Sequence, residues 1–95
     1  MYKATWRGEV IAESATIQRV DGYPYFPRDA IRWDRLRPSP KTSVCGWKGT
    51  ASYYDIVIGD DVNAGAAWVY ETTKDAAKMI EGHIGFWRGV EVTPG

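Results

Sequence analysis

The chain has 95 residues, of which 44% are hydrophobic and 25% are charged, as in a folded domain and not in a disordered segment. Twelve basic and twelve acidic side chains leave no net charge, which argues against non-specific binding to nucleic acid or to an anionic membrane. One cysteine and one histidine cannot form an internal disulfide or a structural zinc cluster. We therefore expect one domain over residues 1–95, with no metal and no cofactor.

The first 20 residues predict three short antiparallel strands that follow one another in one meander. Apolar residues alternate with polar ones at Tyr2, Ala4 and Trp6, and again over residues 15–20. Asp21-Gly22 then predicts a tight reversal of the chain.

The segment from residue 23 to residue 40 is interrupted by prolines. Residues 23–27 contain two of them, which predicts an edge strand or a loop. Residues 28–37 leave two alternatives open, a helical turn or a short alternating strand. Pro38-Ser39-Pro40 is expected to end that segment.

The second half of the chain is rich in strand patterns. Residues 50–58 form the longest candidate strand, a turn follows at Gly59-Asp60-Asp61, and residues 66–70 predict a buried strand. The longest apolar run, residues 64–70, is far shorter than the roughly 20 residues that cross a membrane. No apolar leader is visible either, so we expect a soluble, cytoplasmic protein.

One short C-terminal helix is predicted around residues 73–81, because Ala76, Met79 and Ile80 lie on one helical stripe before a glycine. The chain then returns to a strand pattern that a turn interrupts near Arg88-Gly89. The predicted fold class is therefore mainly β (α+β), with one short helix.

Charge is segregated along the chain. Residues 28–48 contain six basic and two acidic side chains, a net charge of +4, and residues 55–81 carry a net charge of −4. Trp33 and Trp47 lie within the basic segment, and basic groups among aromatic rings are typical of sites for planar anions such as nucleotides. The alternative is a solvated basic face whose charges pair with the acidic segment.

Two residues are weak candidates for catalysis. Cys45 lies three positions before Lys48, whose ammonium group favours a reactive thiolate, but a lone cysteine is more often a small buried hydrophobic residue. His83 is a candidate general base, or simply a hydrogen-bonded residue between two elements. Asp60 and Asp61 resemble a magnesium-binding pair, but a hairpin turn explains them fully.

A longer motif begins at the cysteine. Residues 45–54, with the sequence CGWKGTASYY, resemble the Cys-x-Trp-Lys-Gly-x-Ala-x-Tyr signature of a bacterial family of domains of unknown function, DUF427, sometimes labelled nucleotidyltransferase-like. Four further segments are similar to the family, so the resemblance spans nearly the entire chain: residues 8–12, 25–29, 66–70 and 80–86.

The resemblance implies a β-tent type of fold, in which two small antiparallel sheets meet at an angle. Relatives of that fold include zinc-containing sulfoxide reductases and domains with aromatic ligand-binding cages. This sequence lacks the paired cysteines with which the zinc-containing relatives bind metal, so the resemblance transfers no metal to it. Likeness of fold does not by itself establish function.

Three functions remain open, and the first is favoured. It is a binding module whose pocket between the sheets accepts a small anionic or aromatic, nucleotide-like molecule. The second is an enzyme that uses Cys45 or a nucleotide chemistry at the same place, and the third is a structural or protein-interaction module. The expected partner is a small molecule, with neither nucleic acid nor membrane, and the oligomeric state is left open. The residues predicted to bind the ligand are Arg28, Trp33, Cys45, Trp47, Lys48, Tyr54 and Trp68.

Overall fold

The structure, a computed structural model, describes residues 1–94, so Gly95 at the end of the predicted domain lies outside it. Within these residues the chain forms nine strands and three short 3-10 segments. The strands are β1 (Tyr2–Trp6), β2 (Glu9–Ser14), β3 (Gln18–Val20), β4 (Tyr23–Phe26), β5 (Leu36–Cys45), β6 (Gly49–Ile58), β7 (Asp61–Val69), β8 (Ile84–Phe86) and β9 (Glu91–Pro94). The 3-10 segments are Arg28–Ala30, Trp33–Arg35 and Asp75–Ile80.

The strands form two antiparallel sheets. The smaller sheet has the order β2-β1-β9, and the larger has the order β3-β4-β8-β7-β6-β5. This arrangement confirms the predicted mainly-β class with two antiparallel sheets.

The predicted N-terminal meander is wrong in its third strand. β1 and β2 pair as expected, but β3 leaves them and pairs with β4 in the larger sheet. The reason is the turn between β3 and β4, where Asp21 has φ 54° and Gly22 has φ 81°. Two successive residues with positive φ close a two-residue hairpin, and they tie β3 to the strand that follows it. The place next to β1 is taken by β9 from the other end of the chain.

The segment of residues 28–37, for which a helical turn and a strand were both possible, contains both. Two 3-10 turns, Arg28–Ala30 and Trp33–Arg35, are followed directly by strand β5. The expectation that Pro38 and Pro40 end the segment is wrong, because β5 runs through them. It lies at the edge of the sheet, and its register with β6 shifts between Pro38 and Thr42, which accommodates the missing N–H donors.

The C-terminal helix differs from the α-helix that the stripe predicted. Asp75–Ile80 is a 3-10 segment, and Ala77 departs from helical geometry with φ −117° and ψ 19°. With three residues per turn, Ala77 and Ile80 share one face and are buried, whereas Met79 is exposed. No helix within residues 1–94 has the length and apolar character needed to cross a membrane.

The larger sheet has two buried faces that differ in character. Its inner face packs against the smaller sheet through aliphatic and phenyl groups, for example Phe26 and Val69. Its outer face, covered in part by the 3-10 segment Asp75–Ile80, carries larger rings, for example Tyr25 and Trp68. Neighbouring residues of one strand therefore serve different cores, as strand alternation requires.

Candidate ligand-binding site

The outer face of the larger sheet contains a cavity of about 120 Å³. Strands β4, β6 and β7, the loops on either side of them and the turn after β8 bring six aromatic rings and one ammonium group together there. The lining residues are Tyr23, Tyr25, Lys48, Tyr53, Trp68, Tyr70 and Trp87.

Gly85 creates the room in which the central indole lies. It stands opposite Trp68 in the pairing of β7 with β8. A Cβ atom at Gly85 would lie 2.7 Å from Cε2 and Cζ2 of Trp68 and 3.0 Å from Cε2 of Tyr25. The indole therefore packs directly on the backbone of β8, a position that only glycine permits.

Trp68 is the centre of the aromatic group. Tyr23 and Trp87 meet it nearly edge to face, with ring centroids 5.3 and 5.5 Å away. Tyr25 does the same at 5.8 Å, and its hydroxyl accepts a hydrogen bond of 3.2 Å from the indole N–H. Tyr53 lies 6.4 Å from Trp68 in a tilted arrangement. Edge-to-face contacts stabilise such groups beyond the area that they bury, so the walls of the cavity are fixed before any ligand arrives.

Lys48 is the buried cation of the site. Only 7% of the residue is exposed, and its Nζ atom lies 2.6 Å from Oδ2 of Asp21. The same Nζ atom lies 4.9 Å from the ring centroid of Trp47 and 5.9 Å from that of Tyr70. Burial is the largest single effect and lowers the pKa of Lys48, but the hydrogen bond to Asp21 and the nearby Tyr25, Tyr70 and Cys45 together raise it by more, so the net pKa is raised. Lys48 is therefore charged near neutral pH.

Two further cations lie against rings that line the cavity. The Nζ atom of Lys41 lies 4.7 Å from the ring centroid of Tyr53 and 5.9 Å from that of Trp87. The guanidinium carbon of Arg88 lies 4.7 Å from the ring of Trp87. With Lys48, these groups place three positive charges against the aromatic walls.

The hydroxyls of Tyr25 and Tyr70 remain protonated. Burial raises the pKa of Tyr25 and also that of Tyr70. Tyr53 shares a hydrogen bond of 2.9 Å with the hydroxyl of Ser43. Tyr25 and Tyr70 therefore present neutral phenol groups to the cavity, and each carries an O–H donor.

Of the seven residues predicted to bind the ligand, the structure places two in the cavity, Lys48 and Trp68. Two others lie beside it. Trp47 packs over the Lys48 ammonium and is 39% exposed. Cys45 is half-buried and packs against the group of rings that contains Trp68.

The remaining three predicted residues form a separate cluster, which the structure does not bring to the cavity. Trp33 meets Tyr54 at 5.4 Å between centroids, and Arg28 lies 5.2 Å from the Trp33 ring while pairing with Glu71 at 3.1 Å. Tyr54 packs against the inner core, because it follows Tyr53 in β6 and points to the opposite face of the sheet.

Five rings of the cavity were not among the predicted residues: Tyr23, Tyr25, Tyr53, Tyr70 and Trp87. Alternation along β6 was sufficient to place Tyr53 on the face opposite Tyr54. No local signal was available for Trp87, which reaches the cavity from the turn after β8, where its indole N–H donates to the carbonyl of Gly65 at 2.7 Å.

His83 and Asp61 have structural partners outside the cavity, and Asp60 is exposed. Nδ1 of His83 lies 3.2 Å from the carbonyl oxygen of Glu81. Asp60 and Asp61 lie at the turn from β6 to β7, and Asp61 lies 3.9 Å from Nε of Arg7. In residues 1–94, no group of three His, Cys, Asp or Glu residues is placed to hold a metal ion.

Comparison with known proteins identifies the family of this chain. A family model described as "Domain of unknown function (DUF427)" matches residues 1–93. A search of curated proteins finds no match to the chain. Because the matched range covers nearly all of the sequence, the chain belongs to the DUF427 family of domains of unknown function.

Proposed function

We propose that this protein is a binding module that holds a small planar, anionic ligand, such as part of a nucleotide, in the cavity on the outer face of the larger sheet. The observation that supports this proposal most directly is the combination of aromatic walls with the buried ammonium group of Lys48. Aromatic walls select a flat molecule, and the ammonium group selects its charge.

The size of the cavity limits what enters it. Drug-sized ligands occupy pockets of roughly 300–1,000 Å³, whereas an engineered apolar cavity of about 150 Å³ holds benzene. A cavity of about 120 Å³ therefore accommodates one six-membered ring, and not a complete nucleotide. Any larger ligand would leave its other parts outside the cavity.

The charges favour an anion over a quaternary ammonium ion, which is the other ligand that aromatic cages commonly bind. Lys41 and Arg88 already lie against the ring of Trp87, and Lys48 lies near that of Tyr70. Within residues 1–94, Asp21 is the one acidic residue that forms an ion pair with any of these three cations, and its partner is Lys48. A second cation in the cavity would be repelled, whereas an anion would be attracted.

Substitution of Tyr23 by alanine tests this function, and substitution of Trp33 by alanine is its control. The two residues are 38% and 36% exposed, but only Tyr23 lines the cavity. Loss of one stacking ring is expected to weaken ligand binding about tenfold. The measurement is thermal stabilisation by phenol, benzamide, benzoate and uridine monophosphate, supported by quenching of tryptophan fluorescence.

The control variant Trp33→Ala should bind these probes as the wild type does. Absence of binding by every probe would contradict the proposal, and so would equal weakening in both variants. Stronger binding of phenyltrimethylammonium than of benzoate would show that the charge preference is wrong.

A second candidate function, chemistry at Cys45, is favoured by the environment of the thiol beside the cavity. The backbone N–H of Trp47 lowers the pKa of Cys45 most, and the N–H and ammonium groups of Lys48 add to this effect against an opposing contribution from burial. A lowered pKa increases the thiolate fraction, which is the nucleophilic form. The residues described supply no converging group of carboxylates for the nucleotidyl transfer that the family label implies.

The reactivity of Cys45 is expected to rise at a lower pH than that of an ordinary thiol. The rate of alkylation by iodoacetamide should show a midpoint below about 8.5. The same chain unfolded in urea provides the reference, and Lys48→Met should move the native midpoint upward. A native midpoint at or above that of the unfolded chain would exclude an activated thiol.

A further inference from the structure

Three polar groups that line the cavity keep at least one proton to donate: the hydroxyls of Tyr25 and Tyr70 and the ammonium group of Lys48. Tyr25 accepts a bond from the indole N–H of Trp68, so its own O–H proton remains available. Lys48 carries three protons and directs one of them to Asp21. A cavity with these free donors is complementary to a ligand that only accepts hydrogen bonds.

The hydroxyl of Tyr70 is the donor that bears most directly on the chemistry of the ligand. It is 6% exposed and lines the cavity, yet its hydroxyl has no hydrogen-bond partner within residues 1–94. No fully buried side-chain oxygen or nitrogen within residues 1–94 lacks a partner, so this hydroxyl is open to the cavity, where a ligand or a water molecule takes its hydrogen bond. The ammonium group of Lys48 lies 5.9 Å from the same ring, so the open donor and the buried charge lie close together.

The geometry points to an aromatic carboxylate as the ligand class. We infer that the cavity holds a single aromatic ring whose carboxylate accepts hydrogen bonds from the hydroxyls of Tyr25 and Tyr70 and from the ammonium group of Lys48. This inference rests on the function proposed above, and it adds the acidic group and its three donors. A carboxylate is planar and presents about four acceptor sites on two oxygens, which suits three donors that line one small cavity.

The position of Asp21 leaves room for the carboxylate of the ligand to approach Lys48. Its side chain is 53% exposed and lies on the turn between β3 and β4, so it contacts Lys48 from the rim of the cavity. The two remaining ammonium protons of Lys48 are available to a ligand, and Asp21 continues to balance part of the positive charge.

Four probes of similar size test the inference by isothermal titration calorimetry. Benzoate has the charge and the ring, benzamide has the ring alone, cyclohexanecarboxylate has the charge without planarity, and phenyl phosphate replaces the carboxylate. Benzoate is expected to bind about tenfold more tightly than benzamide, since hydrogen bonds to a charged group are the stronger kind.

The variant Tyr70→Phe removes one hydroxyl and retains the ring. It is expected to weaken benzoate about tenfold and to leave benzamide nearly unchanged. Tyr54→Phe is the matched control, because Tyr54 packs against the inner core and should change neither affinity. Lys48→Met should abolish the preference for benzoate over benzamide.

The outcomes separate this inference from the proposed function. Equal affinity for benzoate and benzamide, or no effect of Tyr70→Phe on benzoate, would overturn the carboxylate site while a ring-binding module remained. Tighter binding of phenyl phosphate than of benzoate would replace the carboxylate by a phosphate. If none of the four probes binds, both the inference and the proposed function fail.

Discussion

Gly85→Ala is expected to lower the free energy of unfolding by about 1–3 kcal/mol, the usual cost of inserting a methyl group into packed space. The new Cβ atom would meet Cε2 and Cζ2 of Trp68 at 2.7 Å, closer than non-bonded carbon atoms approach. Trp68 cannot move away easily, because Tyr23, Tyr25 and Trp87 enclose it edge to face. In a chain of this size, the change corresponds to a decrease in Tm of roughly 5–20 °C.

Gly46→Ala is the control for this result. An added Cβ atom at Gly46 meets no atom within 4 Å, so no comparable loss is expected. The measurement is thermal and urea denaturation of both variants, with near-ultraviolet circular dichroism to report the packing of the rings. Equal stability of Gly85→Ala and the wild type would show that the indole does not lie on the backbone of β8.

Asp21→Asn is expected to cost about 1–2 kcal/mol at pH 7. Removal of one partner from a fully buried pair costs about 3–5 kcal/mol, but here only Lys48 is buried and Asp21 is half exposed, so water screens part of the loss. Asparagine tolerates the positive φ of residue 21, and the turn is therefore retained. The substitution tests the charge pair and not the hairpin.

The same variant should change how stability depends on pH. The folded pKa of Lys48 is raised above its unfolded value of about 10.4, so the ion pair stabilises the protein fully below that pH. This stabilisation is lost as the pH rises through the folded pKa. The pKa values of Tyr25 and Tyr70 are also raised, and their contribution is lost in the same alkaline direction, from about pH 10.

Urea denaturation between pH 7 and pH 11 measures this dependence. Wild-type stability should fall above about pH 10, and Asp21→Asn should fall less steeply because its ion pair is already absent. Asp60→Asn is the control, since Asp60 lies at the exposed turn between β6 and β7. A parallel decrease in the wild type and in Asp21→Asn would show that the pair does not stabilise the fold.

The strand content could be predicted from the sequence because apolar and polar residues alternate locally along each strand. The pairing of the strands could not be predicted in this way, as β3 shows. Its pattern is equally compatible with either sheet, and the two positive φ angles at residues 21 and 22 decide between them. The prolines of β5 were misleading for a related reason, since proline is compatible with an edge strand, and edge position is a property of the whole sheet.

The sequence predicted the residue types of the candidate site better than it predicted which residues come together. Lys48 and Trp68 do line one cavity, but Arg28 and Trp33 lie elsewhere, in a cluster with Tyr54. Which face of the larger sheet each ring would occupy depends on long-range register. The cluster with Trp33 and the cavity are formed by the same residue types, so composition alone could not separate them.

The two faces of the larger sheet separate the packing of the fold from the mouth of the cavity. The inner face supplies the contacts that join the sheets, whereas Tyr23 and Trp87 reach the cavity from a hairpin and a turn at its rim. Changes at these two positions would reshape the mouth without touching the layer between the sheets. The scaffold is therefore suited to redesign, in which a library confined to the rim would alter ligand preference while the molecule kept its architecture.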